Sequence, residues 1–356
     1  MAHGKFEKRR EKKSGKKGSI WLKILIAILA IVLVIMVIGA VAISYVLGRL
    51  GRFDDLSSGE IGDTTPISDE FDTDSTIDGQ ETIQTVDASD ITFQDVEVLQ
   101  GENIINVMLI GQDARPGEGR SRSDTMILVS LNKEKNAIQL TSFMRDTYVR
   151  IPGYLDNRLN VAYRYGGTEL MNETFKVNFG LEIDGNVMVD FTEFANIIDM
   201  LGGVDLELSS EEITYMHNAG FTNLSVGANH LNGEEALTFV RMRYVSGGDY
   251  GRTERQRRVL SALGNSFRSA SIGTILSLVN DLLPHVVTNL TESQILEYVT
   301  TGVSLMAGGA EIQSLRIPAD DAHYGAMIDG MSVLIPDLEM CREDLHDFIY
   351  SADAQE

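Results

Sequence analysis

The stretch that decides the fold is Ile104–Phe143, because it contains three apolar segments of strand length. They read IINVMLI at Ile104–Ile110, DTMILVSL at Asp124–Leu131 and AIQLTSF at Ala137–Phe143. Short apolar runs bounded by turn residues are typical of buried strands. The turn NKEKN at Asn132–Asn136 joins the second segment to the third and predicts a hairpin. We therefore expect an up-down-up meander.

Downstream of the meander, strand and helix patterns alternate. Short strands are predicted at Val187–Asp190 and, from strict alternation, at Val204–Leu208. Gly166-Gly167 is expected to open a helix with Thr168 as its N-cap. The remaining predicted helices are a face from Phe194 to Leu201, then Gly233–Phe239, Glu254–Ser269, Ile272–Leu283 and Glu292–Ala307. A sheet covered by helices, of the α/β or α+β class, follows from this mixture.

The charge of the chain is strongly uneven. It has 52 Asp+Glu against 30 Lys+Arg, a net charge of −22, yet residues 1–23 hold nine basic and two acidic side chains. The remainder is therefore at −29, from 50 acidic and 21 basic residues. A domain this acidic is a poor general binder of nucleic acid, whose affinity depends on neutralising phosphates. The single cysteine, Cys341, excludes a disulfide scaffold and cysteine-based zinc clusters.

The N-terminal region predicts a membrane anchor. Ile24–Leu47 is a run of 24 uncharged residues, about 36 Å long as a helix, which is enough to cross a bilayer. Basic residues precede it, so residues 1–19 are expected in the cytoplasm, residues 20–48 in the membrane and the rest outside the cell. The alternative is a cleaved signal peptide, with Ala40-Val41-Ala42 as its cleavage site. The length of the apolar run favours the uncleaved anchor.

An acidic segment separates the anchor from the folded part. Phe53–Gln100 carries fourteen acidic residues and no Lys or Arg, which is typical of a solvated, self-repelling linker. We expect an extracellular stalk at residues 49–100 and a single domain at residues 101–356. The end of the stalk, Ile91–Val98, has the pattern of a first strand.

Charged residues gather at one edge of the predicted meander. The first strand ends, the second begins and the third ends at this edge, which collects Asp113, Arg115, Arg122, Asp124, Arg145 and Asp146. Two carboxylates among arginines suit a divalent cation such as Mg²⁺ together with an anionic ligand. The alternative is a set of surface salt bridges, but so many charges at one edge favour a site.

Arginine usage gives a second indication of an anion site. Beyond residue 48 there are 18 Arg and three Lys, and six of the arginines fall between Arg241 and Arg258. Arginine offers a planar fork that binds phosphate with two hydrogen bonds. Strand spacing would place Arg241 and Arg243 on one face, and helical spacing would place Arg252, Arg255 and Gln256 on another, near a helix N-terminus. Arg257 or Arg258 is expected on a solvated helix face, and we predict this position for Arg257. Several clustered guanidinium groups indicate a ligand with more than one phosphate, such as a pyrophosphate.

Nine short motifs follow one another along the chain, each occurring once. They are Gly111–Arg115 (GQDAR), Arg122–Thr125 (RSDT), Met144–Thr147 (MRDT), Asn160–Tyr163 (NVAY) with Gly166-Gly167, Leu201–Val204 (LGGV), Leu231–Leu237 (LNGEEAL), Val240–Arg243 (VRMR), Asp249–Arg252 (DYGR) and Arg255–Arg257 (RQR). In this set the chain resembles the LytR-CpsA-Psr family. The likeness covers about residues 101–265 directly. Each motif alone is weak, but the ordered set is highly specific.

The resemblance implies a fold and an activity. The fold would be a layered α-β-α domain with a central mixed sheet and a hydrophobic pocket for a prenyl tail. The activity would be a phosphotransferase of the Gram-positive type of cell envelope. It would move a glycopolymer, such as a teichoic acid or capsule, from a polyprenyl-pyrophosphate carrier to peptidoglycan as a phosphodiester. The partners would be this lipid, peptidoglycan and the membrane, with no nucleic acid.

The resemblance also assigns residues. Asp113 and Asp124 would hold Mg²⁺, and the pyrophosphate would be bound by Arg145, Arg241, Arg243, Arg252 and Gln256. Asp249 would be a general base and Arg122 a support to the metal site. Two alternatives stay open: a metal-dependent phosphohydrolase that passes the phosphoryl group to water, and a non-catalytic envelope regulator.

Overall fold

The computed structural model describes residues 84–99, 101, 103–112, 122–242, 245, 248–268 and 272–351, with residues 248, 249 and 272 described by their backbone alone. These residues all belong to one compact unit, Leu50–Glu356. Among them, no helix combines the length and the apolar character needed to cross a lipid bilayer. The predicted membrane helix at residues 20–48 lies outside the described residues.

A six-stranded mixed sheet forms the centre of the unit. Its middle is the predicted meander, β2 (Ile104–Gln112), β3 (Ser123–Asn132) and β4 (Ala137–Phe143), in which both pairings are antiparallel. β7 (Gly185–Asp190) lies parallel to β2, and β11 (Glu311–Ile317) lies parallel to β4. The short β10 (Val287–Thr288) closes the edge beside β7 in antiparallel orientation. The meander and the mixed sheet are therefore confirmed.

Both faces of this sheet are covered. On one face Met108, Met126 and Phe143 pack against helix α1 (Leu159–Phe179) and the C-terminal helix α8 (Leu338–Leu345). On the other face Val107 and its neighbours pack against α7 (Glu292–Ala307). Alternate residues of each strand thus enter different cores, which explains why the strands read as continuous apolar runs.

Helix α1 starts earlier than the sequence predicts. It runs from Leu159, but the φ/ψ angles of Gly166 and Gly167 are not helical, and Gly167 has φ 65°. The predicted start at Gly166-Gly167 is therefore the break between two helical segments. Glycine tolerates this left-handed conformation without a Cβ clash.

A smaller helical layer stands beside one part of the sheet, with its own apolar core around Ile198, Leu231, Phe239, Met242 and Val259. Its elements are α2 (Phe191–Met200), β8 (Val204–Leu208), α3 (Ser210–Asn218), β9 (Gly227–Leu231), α4 (Gly233–Val240) and α5 (Gly248–Ser266). Helices α3 and α4 begin with reciprocal capping boxes, Ser209 with Glu212 and Asn232 with Glu235. Helix α6 (Ile272–Leu282) follows α5.

A second, three-stranded sheet joins the N-terminal segment to the C-terminal part. Its strands are β1 (Gln84–Thr85), β12 (His323–Ile328) and β13 (Met331–Pro336), and a two-stranded hairpin, β5 (Tyr148–Val149) with β6 (Asn157–Arg158), packs near it. Residues 91–98 contain no strand, so that prediction is wrong: Ile91 and Phe93 pack as loop residues against this sheet. The described chain joins the folded unit from Gln84 onward. The predicted division into stalk and domain stays a prediction.

Candidate active site

A deep cavity lies between the central sheet and the smaller helical layer. Its volume is about 590 Å³. Apolar side chains form most of its wall: Leu109, Ile127, Val187 and Val189 from the sheet, and Phe191, Phe194, Leu237, Val240 and Leu260 from helices α2, α4 and α5. The polar residues of the wall are Asp124, Thr125, Glu234, Thr238, Arg241, Arg252 and Gln256. An apolar chamber with charged groups beside it suits a ligand that has an apolar tail and an anionic head.

Asp124 reaches the cavity because β3 has a bulge. Gly111 of β2 pairs with Thr125, but the next residue, Gln112, pairs with Ser123, so Asp124 is the extra residue of β3. In a regular ladder Asp124 would face the same side as Met126, toward α1. A bulge re-aims the side chain at its position, and Asp124 lines the cavity beside Thr125.

Arg145 lies directly behind Asp124. It follows the end of β4, is 8% exposed, and its Nη1 donates to Asp124 Oδ1 at 2.9 Å. Its Nε lies 3.4 Å from Asp146 Oδ2, and Arg158 Nη1 lies 3.6 Å from Asp146 Oδ1. The four side chains form a chain of alternating charge leading from the cavity into the protein. Such a network holds the Asp124 carboxylate in one orientation.

Arg241 lies at the cavity without the predicted strand. Helix α4 ends at Val240 and Arg241 is its helical C-cap residue, so the expected strand face shared by Arg241 and Arg243 is wrong for Arg241. The guanidinium carbon of Arg241 lies 4.5 Å from the centroid of the Phe191 ring. A cation over an aromatic face is attracted by the ring quadrupole. Phe191 therefore orients Arg241 at the boundary between the apolar wall and the polar groups.

Helix α5 supplies the next two residues. Arg252 and Gln256, one helical turn apart, both line the cavity, as their spacing predicts. The amide of Gln256 donates to Thr125 Oγ1 at 2.8 Å, which ties α5 to the bulged strand. Arg255 does not share their face. Its Nη2 donates to the carbonyl of Met242 at 2.6 Å, and burial lowers the pKa of its guanidinium.

Arg257 is not on a solvated face. It is 8% exposed, and its Nη2 lies 2.6 Å from Glu254 Oε2 while Nη1 donates to the carbonyl of Leu315. The helix packs on β4 and β11, so its turn that includes Arg257 faces the sheet. Arg258 also has defined partners, since its Nη1 lies 2.6 Å from Glu212. The prediction of a solvated face is therefore wrong for Arg257.

The remaining predicted site residues are placed only in part. Arg122 directly precedes β3 and is half-buried at the same sheet edge as Asp124. Asp113 and Arg243 lie outside the described residues, and Asp249 is described as a backbone position in the first turn of α5. Within the described part of the chain, no cluster of three or more His, Cys, Asp or Glu could hold a metal ion.

The chemistry of Asp124 fits a magnesium ion shared with a phosphate ligand. One of its oxygens accepts from Arg145, and its side chain remains 21% exposed at the cavity. Mg²⁺ in proteins commonly takes one or two carboxylates and completes its shell with water and phosphate oxygens. Asp124 could provide such a ligand, and Asp113, which follows β2 in sequence, is the predicted second one.

Sequence reasoning missed the bulge, the Phe191 contact and the Asp146–Arg158 pair. The signal for the bulge was Gly111, because a glycine inside a strand often marks one. A Cβ added there would lie 2.8 Å from the Cβ of Thr125.

The fold and cavity define a class: a mixed α/β protein with an apolar chamber that has arginine and carboxylate side chains at its edge. The LytR_cpsA_psr family model matches residues 67–345. The chain therefore belongs to the LytR-CpsA-Psr family, as its motifs predict.

Named relatives lie at about one-third identity. The polyisoprenyl-teichoic acid–peptidoglycan teichoic acid transferase TagU of Bacillus cereus is 33% identical over 233 residues, 64% of this chain and 72% of TagU. The regulatory protein MsrR of Staphylococcus aureus is 31% identical over 227 residues, covering 63% of this chain and 68% of MsrR. Among solved structures, TagT bound to LIIa-WTA has a TM-score of 0.58 at 26% identity, covering 72% of this chain and 97% of TagT.

Proposed function

We propose that this protein transfers a glycopolymer from a polyprenyl-pyrophosphate carrier to a hydroxyl group of peptidoglycan, forming a phosphodiester. The observation that carries the proposal is the combination in one cavity of a long apolar wall with Arg241, Arg252 and Asp124. A ligand that fills both parts needs a long hydrocarbon tail and a phosphate-rich head. The names of the relatives TagU and TagT bound to LIIa-WTA support the same ligand class.

The arginines would bind and orient the pyrophosphate. Arg241, steadied by Phe191, and Arg252 approach the head from the helical layer, while Arg145 and Asp124 lie on the sheet side. Arg243 is predicted to join them. Phosphoryl transfer is catalysed by groups that neutralise charge on the transferring and leaving oxygens. The guanidinium groups of these arginines would have this role.

Asp124 and Asp113 would hold Mg²⁺, which would neutralise part of the negative charge of the phosphate head. Arg145 orients the Asp124 carboxylate through its 2.9 Å hydrogen bond. Arg122, at the same sheet edge, would support this side of the site. Gln256 positions the cavity wall by its bond to Thr125 and would offer a further donor to the head group.

The reaction balances without any further reagent. The acceptor hydroxyl oxygen forms a bond to the phosphorus that carries the glycopolymer, and the bond from that phosphorus to the bridging oxygen breaks. Polyprenyl monophosphate leaves with the bridging oxygen. Asp249, in the first turn of α5 beside Arg252, is the proposed general base that takes the hydroxyl proton.

The proposed location is the outer face of the cytoplasmic membrane. The N-terminal anchor would hold the domain where lipid-linked donors reside, with the basic residues 1–19 in the cytoplasm. The apolar cavity could then receive a prenyl tail without releasing it into water.

The proposal is tested with the full chain in detergent micelles, a polyprenyl-pyrophosphate-linked glycan and Mg²⁺, with and without peptidoglycan glycan fragments. Transfer predicts an acceptor-linked product and a turnover that depends on acceptor concentration. Equal turnover without acceptor would favour the phosphohydrolase. Tight donor binding with no turnover under either condition would favour the non-catalytic regulator.

A further inference from the structure

A second large cleft lies away from the anion-binding side chains. It has a volume of about 670 Å³ and is assembled by the β5–β6 hairpin, the first segment of α1, the β12–β13 turn and the N-terminal segment. We call it the tyrosine cleft. Its lining residues are Ala88, Ser89, Tyr148, Gly153, Tyr154, Leu155, Asp156, Asn157, Tyr165, Asp329 and Met331.

The sequence of the hairpin loop builds one wall of this cleft. Ile151-Pro152-Gly153-Tyr154 forms a tight turn in which the N–H of Tyr154 donates to the carbonyl of Ile151 at 3.0 Å. Gly153 has φ 78°, and a turn with proline second and glycine third suits this geometry. The turn places Tyr154 against Tyr165 of α1, with ring centroids 4.9 Å apart and planes 19° apart. The ring pair rests on the main core and lines the cleft.

The opposite wall carries hydrogen-bonding groups. Asp329 sits in the β12–β13 turn with φ 49°, followed by Gly330 with φ 82°, the Asp-Gly pattern of a tight hairpin turn. Asp156 and Asp329 both lie near Tyr148. Burial first, and then these two carboxylates, raise the pKa of the Tyr148 hydroxyl to about 12. The hydroxyl therefore stays protonated and can donate, while the carboxylates and Asn157 can accept.

The composition of the cleft selects the ligand. None of the described residues that line it is a lysine, arginine or histidine, so it does not suit a phosphate or another anion. A pyranose ring has an apolar C–H face that packs on aromatic rings and an edge of hydroxyls that hydrogen-bond to carboxylates and amides. Leu155, 69% exposed in the same loop, extends the apolar rim.

We propose that the tyrosine cleft binds uncharged carbohydrate. Its ligand is the glycan strand of the acceptor, an assignment that rests on the proposed transfer function. The hairpin connects the cleft to the candidate active site. Tyr148 is two residues from Asp146, and Asn157 precedes Arg158, whose Nη1 lies 3.6 Å from Asp146. Two residues of even fully extended chain span at most about 7 Å, and Asp146 lies in the turn just before β5. A glycan held in the cleft would therefore lie near Asp146 and Arg158, the inner end of the chain of charges whose outer end is Asp124.

The first experiment measures binding alone. The full chain in detergent, without donor lipid or Mg²⁺, is titrated with a β-1,4-linked tetramer of N-acetylglucosamine by calorimetry and saturation-transfer NMR. Wild-type binding is expected to weaken at least tenfold in Tyr154→Ala. Asp329→Asn is expected to weaken it severalfold and to keep the turn, because asparagine tolerates positive φ. Tyr324→Ala removes a more exposed aromatic side chain that lies outside the cleft, and it serves as the control, whose affinity should stay within twofold.

Several outcomes would overturn the proposal: no binding of the tetramer to the wild type, unchanged affinity in both cleft variants, or equal loss in the Tyr324→Ala control. In the transfer assay, Tyr154→Ala should raise the acceptor KM and leave the donor KM unchanged. If the cleft binds the tetramer but the protein shows no transfer, the carbohydrate site stands and only the transfer function is refuted.

Discussion

Arg145 is the residue on which the charge balance of the candidate site depends most. It is buried between two carboxylates and lies directly behind the only described acidic side chain of the cavity's sheet wall, Asp124. We expect Arg145→Ala to lower transfer by about 10²–10³-fold, the usual cost of losing one charge-stabilising donor. Arg145→Lys should rescue only part of this, because an ammonium does not reproduce the planar fork. The measurement is turnover with a polyprenyl-pyrophosphate-linked glycan.

A charge-removing control belongs with that series. Arg257 is unsuitable because it is buried and paired with Glu254, so Arg257→Ala is expected to lower the melting temperature. Lys176, half-exposed near the end of α1, is a better control. If Lys176→Ala loses as much turnover as Arg145→Ala, general basicity explains the effect and the assigned role of Arg145 is wrong.

The metal assignment makes a separate prediction. Asp124→Asn keeps an oxygen for the hydrogen bond from Arg145 but removes the charge that Mg²⁺ requires. We expect Mg²⁺-dependent transfer to fall at least tenfold in Asp124→Asn and in Asp113→Ala, with little change in melting temperature. A magnesium titration of activity checks this. Wild-type magnesium dependence in both variants would remove these residues from the metal site.

The positions of individual residues could be predicted from the sequence where local backbone geometry decides them. Asp124, Arg122 and Arg145 follow from counting strand ends in a meander, and Arg252 with Gln256 follows from helical spacing. Arg257 was not predictable in this way, because its burial depends on α5 packing against β11, a contact between distant parts of the chain. The pair Asp146–Arg158 likewise joins two loops that only the fold brings together.

At the scale of elements, the bulge of β3 decides whether a carboxylate reaches the cavity. Gly111 faces Thr125, and a Cβ on Gly111 would come within 2.8 Å of the Thr125 Cβ, so the two strands must separate in Gly111→Ala. We expect a loss of about 1–3 kcal/mol in the free energy of unfolding, the usual cost of overpacking. Activity should fall further than stability, because Thr125 also holds Gln256. Chemical denaturation and transfer assays measure the two effects.

Gly302→Ala is the matched control for that substitution. Gly302 lies inside α7, where an added Cβ meets only Leu131 at 3.9 Å, an ordinary contact. Alanine should stabilise the helix by about 0.4–1 kcal/mol. If Gly111→Ala were as harmless as Gly302→Ala, the close approach of β2 and β3 at the bulge would not be required.

Many elements between Ile104 and Ala307 could be predicted from the sequence, whereas α3, β9, β10 and all the elements from β11 to α8 were not predicted. The meander strands and α7 match their predicted ranges because their patterns are long and bounded by turns or caps. Val240–Tyr244 alternates like a strand, yet a capping box at Asn232 starts α4, and the helix continues through Val240. Buried Met242 then packs into the core of the helical layer. Five alternating residues are too few to outweigh an established helix and its packing.

At the scale of the whole molecule, the N-terminal sequence predicts orientation. Eight basic residues lie within residues 1–19, before the long apolar run, so the N-terminus should be inside and residues 49–356 outside. Protease added to intact, wall-stripped cells should remove the folded domain and spare an N-terminal tag. A domain that resists the protease in intact cells but not after lysis would refute this orientation.

The most direct test of the central claim follows the oxygen atoms of the reaction. The full chain in detergent micelles is given a polyprenyl-pyrophosphate-linked glycan, Mg²⁺ and a peptidoglycan glycan fragment in water enriched in oxygen-18, and the products are weighed by mass spectrometry. Transfer to a sugar hydroxyl predicts a phosphodiester-linked product and polyprenyl monophosphate, both free of the label. A phosphorylated glycan that carries one labelled oxygen, with no acceptor-linked product, would show hydrolysis and contradict the account.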